Sequence, residues 1–122
     1  MLKIRKEQSE AFQKEAADDF EARAIKHIRR DLAKPASALT DDDIRRRVRE
    51  CIPRAKEYGL ITEKQIICFV DVSILLGDRF DTDPKMAWSG ELLRSKNVSV
   101  PDKTNLLLAT ACSVYKELKP GA

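Results

Sequence analysis

The stretch Thr62-Glu63-Lys64-Gln65-Ile66-Ile67-Cys68-Phe69-Val70-Asp71-Val72-Ser73-Ile74-Leu75-Leu76-Gly77 decides the fold. Thr62 and Gln65 stand three positions apart, the spacing at which a threonine hydroxyl and a glutamine side chain each satisfy a backbone N–H that the first turn of a helix leaves free. Behind that start, Ile66, Ile67, Phe69, Val70, Ile74, Leu75 and Leu76 place apolar groups on more than one face of a helix, and Gly77 stops it. A helix apolar around so much of its circumference belongs in the middle of an array. The stretch therefore predicts the central helix of a bundle.

The flanking sequence supplies its neighbours. Upstream, Phe12, Ala16, Phe20, Ala24, Ile28 and Leu32 recur every fourth residue with Ile25 alongside, which predicts a first helix over Arg5 to Ala33, ended by Pro35. Thr40 with Asp43 repeats the capping-box spacing, and Asp41, Asp42 and Asp43 suit the positive end of a helix dipole. Ile44, Val48, Cys51, Ile52 and Ala55 give that second helix a buried face. Pro53 is expected to kink or divide it by crowding the carbonyl of Arg49, and Gly59 to end it in a left-handed conformation. Downstream, Asp83-Pro84 reads as cap followed by proline, opening a short fourth helix with Ala87, Trp88, Leu92 and Leu93. Ser99 and Asp102 open a fifth, with Leu107, Leu108, Ala111, Val114, Tyr115 and Leu118, which ends before Pro120-Gly121. No segment alternates with a two-residue period, and there is no internal repeat. The expectation is an all-α chain, residues 1–122 forming a single compact domain of about five helices.

Charge narrows the function. The chain carries 23 basic and 20 acidic side chains, and no third of it has a basic excess above two. Nucleic-acid binders concentrate positive charge on one face, and here there is little excess to concentrate. Arg45-Arg46-Arg47 with Arg49 and Arg54 is the exception that could meet phosphate. Yet Asp41, Asp42 and Asp43 stand four residues before Arg45, Arg46 and Arg47, the favourable order for helix ion pairs. The Arg45–Arg54 face is kept as a nucleic-acid alternative.

Cys51, Cys68 and Cys112 are odd in number, far apart and set in apolar helical stretches, as expected of reduced buried thiols in a cytoplasmic protein. Met1-Leu2-Lys3-Ile4-Arg5-Lys6 has no apolar signal region, and no run is long enough to cross a bilayer.

Catalytic patterns have no foothold. Asp78, Asp81 and Asp83 lack the spacing of a calcium loop, so no metal is expected. His27 is the single histidine, with no local nucleophile partner. The four glycines stand singly, which excludes a phosphate loop, and no cofactor is expected. Trp88 with Phe80 and Met86 reads as core closing one end of the bundle, or as an aromatic anchor for a partner.

The segments Tyr58-Gly59-Leu60-Ile61-Thr62, Phe69-Val70-Asp71 and Leu75-Leu76-Gly77-Asp78-Arg79-Phe80-Asp81-Thr82-Asp83-Pro84 with Trp88, and the opening Leu2-Lys3-Ile4-Arg5 with Gln8, resemble a group of small helical bacterial proteins. These are encoded beside type VI secretion spike and effector genes. The resemblance covers most of the chain and is most specific at Phe80–Pro84 followed by Trp88. Pro53 departs from the group's pattern. What the resemblance implies is a non-enzymatic adaptor or co-chaperone for a secreted effector, or an immunity protein that blocks a toxin. The partner would be another protein, an effector, toxin or spike component, with a homodimer allowed. The residues expected to meet it are Phe80, Asp81, Asp83, Trp88, Arg45, Arg46 and Arg49.

Overall fold

The structure, a computed structural model, describes residues 6–118, with side chains from Glu15 onward. It is all-α: α1 (Lys6–Asp31), α2 (Asp41–Glu57), α3 (Glu63–Leu76), α4 (Ala87–Arg94) and α5 (Val100–Leu118). Two single 3₁₀ turns, Phe80–Thr82 and Pro84–Met86, fill the connection between α3 and α4.

The helix starts follow their local chemistry. Thr40 Oγ1 accepts from the Asp43 N–H at 3.1 Å, and the Asp43 carboxylate accepts in return from the Thr40 N–H at 3.0 Å. Those contacts hold the Asp43 carboxyl below the usual carboxylate range, with the backbone bond to Thr40 as the main cause. Thr62 and Gln65 repeat the box at α3. At α5 only the hydroxyl half is made, the Asp102 N–H donating to Ser99 Oγ at 3.3 Å. The end of α2 is a Schellman turn: Gly59 N–H donates to Lys56 O and Leu60 N–H to Ala55 O, with Gly59 at φ 83°.

Pro53 does not divide α2. The helix runs unbroken from Asp41 to Glu57 with Pro53 exposed, where the carbonyl it deprives of a donor can be hydrated. Asp83 does cap, through Lys85 N–H, but the segment it opens is the 3₁₀ turn Pro84–Met86, and α4 begins only at Ala87.

α3 is central, packing against α1, α2, α5 and the first 3₁₀ turn. Its Phe69, Val70 and Val72 are fully buried, joined by Ile28 of α1, Ile44, Val48, Cys51 and Ala55 of α2, and Leu107 and Ala111 of α5. Burying a side chain such as Phe69 or Ile44 contributes about 1.5–3 kcal/mol. The α1 stripe is buried from Phe20 through Ile28, and Leu32, just past the helix end, is half-buried; Ala16 is exposed, and the Phe12 side chain lies outside the described residues, as do Leu2–Arg5 and Pro120-Gly121. All three cysteines are free thiols, but only Cys51 is buried; Cys68 and Cys112 are half-buried. No described helix is long and apolar enough to cross a membrane.

Candidate functional site

The expected binding residues divide when placed on this frame. Phe80 is fully buried, its ring 5.0 Å from that of Phe69, so it is core and offers no surface. Asp81 is buried beneath it. One carboxylate oxygen accepts from Arg54 Nη2 and the other from the Tyr58 hydroxyl at 2.8 Å. Arg54 also donates to Asp78 O at 2.7 Å and stacks over the Phe69 ring. Asp83 is a cap, and Trp88 is half-buried against the core. Gly90 lets α4 approach this connector: a Cβ there would sit 2.7 Å from the Asp81 carbonyl oxygen. The Phe80–Trp88 stretch is thus mainly architecture.

The arginine run is used in the same way. Arg49 grips Glu21 with two bonds, 2.7 and 3.1 Å, and Arg45 lies 3.5 Å from the same carboxylate. Glu21 is buried, so this clamp joins α1 to α2. The expected four-residue pairs give way to three-residue ones, Asp42–Arg45 and Asp43–Arg46. Arg47 turns inward instead, donating to Ser73 O at 2.8 Å and lying 3.5 Å from Asp78. Of the run, Arg46 is the most exposed, and each arginine already faces a carboxylate.

A different surface emerges where α1, α3 and α5 meet. A groove of about 440 Å³ has Ile67, Cys68 and Asp71 on its α3 floor, Phe20, Ala24 and His27 on the α1 side, and Leu108 on α5. Its lining is mostly apolar. Residues 64, 67, 68 and 71 share one helical face by their three- and four-residue spacing, so the outer face of the central helix is what the groove leaves open.

Two polar bridges cross from α1 to α3. Near the start of α3, Arg23 donates to both Glu63 oxygens at 2.7 and 3.1 Å, which holds the Glu63 carboxyl below its ordinary range. Two turns on, His27 Nε2 lies 2.8 and 3.0 Å from the Asp71 oxygens, while Nδ1 lies 3.1 Å from Asp31. Burial pushes the Asp71 carboxyl up, opposed by the hydrogen bond from His27.

Cys68, His27 and Asp71 therefore share one groove, a combination that sequence spacing did not bring together. A thiol nucleophile needs an adjacent base with a free nitrogen or a lowered pKa. Here both ring nitrogens face carboxylates, and burial pushes the Cys68 thiol up. Among the described residues no three His, Cys, Asp or Glu side chains are placed to hold a metal.

One charge on this surface stays uncompensated. Lys64 lines the groove and is exposed, and its ammonium enters no ion pair among the described residues. Sequence reasoning missed the groove because its walls are residues forty or more positions apart; the available signal was the second apolar face of α3. The chain matches no protein-family model, no curated protein and no solved structure.

Proposed function

We propose that this chain is a non-enzymatic protein-binding module, an adaptor or co-chaperone for a type VI secretion effector. The observation that carries the binding role is the apolar groove over the outer face of α3, an open concave surface on the helix that otherwise forms the centre of the core. Ligand and partner sites are concave and apolar with a few polar groups that fix orientation. The arginines and aspartates that might have served phosphate or metal are engaged in holding helices together, which supports the same reading. The effector assignment is supported by the resemblance of the Phe80–Pro84 and Trp88 segments to proteins encoded beside spike and effector genes.

The test is reconstitution. Purified chain is mixed with each protein encoded by the genes adjacent to its own, and complexes are resolved by size-exclusion chromatography with light scattering. A defined complex with an effector or spike protein is expected, with the effector's own activity retained. No complex with any of them would overturn the adaptor role. A complex that abolishes a toxin's activity would replace it with an immunity role.

A further inference from the structure

We infer that the groove between α1, α3 and α5 receives an amphipathic helix whose apolar stripe is flanked by a carboxylate. The inference rests on the protein-binding role proposed above and specifies the partner's chemistry.

Shape and lining argue for a helix. The groove floor follows α3 for two turns, from Lys64 through Ile67 and Cys68 to Asp71, with Phe20 and Ala24 on one side and Leu108 on the other. A helix laid along such a trough buries apolar side chains at i, i+3 or i+4, and i+7. A strand would need a free backbone edge, and all the walls here are helices whose amides are bonded internally.

Charge bookkeeping argues for the carboxylate. Of the groove's charged groups, Glu63 is engaged by Arg23, and Asp71 is engaged by His27. Lys64 is left over, at the same end of the floor as the Arg23–Glu63 bridge. A partner that buried the apolar floor while setting a lysine or arginine beside Lys64 would place like charges together at the rim. An aspartate or glutamate there completes the pair and fixes the direction in which the helix lies.

The test uses two synthetic helical peptides about 18 residues long. They share a leucine stripe and differ only in whether glutamate or lysine flanks it. Binding to the full chain is followed by fluorescence anisotropy. The glutamate peptide is expected to bind about three- to fivefold more tightly than the lysine peptide, the contribution of one exposed ion pair. Lys64→Glu, an exposed change that leaves folding intact, should reverse that order. Ile67→Glu should weaken both peptides by more than about tenfold under conditions where circular dichroism shows the free variant to be still helical. Absence of binding by either peptide, or equal binding unaltered by Lys64→Glu, would overturn the inference. So would a concentration-dependent dimer that Ile67→Glu abolishes, since the occupant would then be a second copy of this chain. If Ile67→Glu keeps the reconstituted effector complex, the adaptor role stands and the groove loses its assignment.

Discussion

At the junction of α2 with the α3–α4 connector, charge is sealed in. Arg54 and Asp81 meet beneath Phe69 and Phe80, Tyr58 takes the second Asp81 oxygen, and Arg47 reaches the Ser73 carbonyl. At the α1–α3 seam the bridges are of the same kind, Arg23–Glu63 and His27–Asp71, but an apolar trough opens beside them and Lys64 pairs with no carboxylate among the described residues. The two regions show opposite uses of polar groups. In the first, the buried charges of Arg54 and Asp81 are matched inside the molecule, so substitutions there act on folding. In the second, Lys64 has no ion-pair partner among the described residues, and under the proposed binding role substitutions there are expected to act on association.

The largest expected effect lies in the sealed region. Arg54→Ala leaves the Asp81 carboxylate buried with only the Tyr58 hydroxyl as partner. Removing one member of a buried pair costs about 3–5 kcal/mol. Urea unfolding monitored at Trp88 should show that loss, and a cost near that of a surface pair would mean the site is hydrated. Next comes Lys103→Met. Lys103 is buried, and its ammonium donates to Leu93 O at 2.9 Å and Ser95 O at 2.8 Å, closing the end of α4. Methionine fills much of the volume but leaves those carbonyls without a donor, a loss of about 1–3 kcal/mol in the same assay.

These two sites show where the sequence stops being legible. Helix number and order, the Thr40 and Thr62 boxes and the Gly59 stop are local, set by residues within four positions of each other, and they read directly. Glu21–Arg49, Arg54–Asp81 and His27–Asp71 join residues 28, 27 and 44 apart, and no spacing rule pairs them. Arg47 is the instructive case. Its local partner Asp43 is present at the favoured spacing, yet the arginine turns inward to the Ser73 carbonyl and Asp78, because a tertiary acceptor competes with the helix surface. Phe80 fails as a binding residue for the opposite reason: its aromatic character marks core and anchor equally, and only burial separates them.

The α1–α3 seam predicts a pH signature of defined sign. A carboxyl raised in the folded chain holds its proton more tightly when folded, so its contribution is fully present below the unfolded pKa of about 4 and is lost as pH rises through the folded value. Asp71 is raised by burial, whereas Asp43 and Glu63 are lowered and lose their contribution as pH falls. Comparing the native chain with Asp71→Asn isolates the first effect, because Asp43 and Glu63 are common to both. Thermal melts should show the native chain losing stability relative to Asp71→Asn as pH climbs from about 4. A difference independent of pH would mean that His27 offsets the desolvation of Asp71 completely.

The smallest effect on folding is expected in the groove, and it tests the contrast itself. Ile67 is half-buried on the floor and packs against the core, so truncation to alanine removes less covered surface than it would at a fully buried site. Ile67→Ala should cost about 1–2 kcal/mol, against about 2–5 for a fully buried isoleucine such as Ile44. Lys64→Glu should stay within about 0.5 kcal/mol. Both are measured by urea unfolding of the free protein. If Ile67→Ala costs as much as truncating Ile44, the trough is closed in solution by part of this chain, and the seam is sealed like the first. If the cost stays below that at Ile44, the outer face of α3 contributes less to the stability of the free chain than a fully buried site does, which is what the proposed binding role of the groove requires.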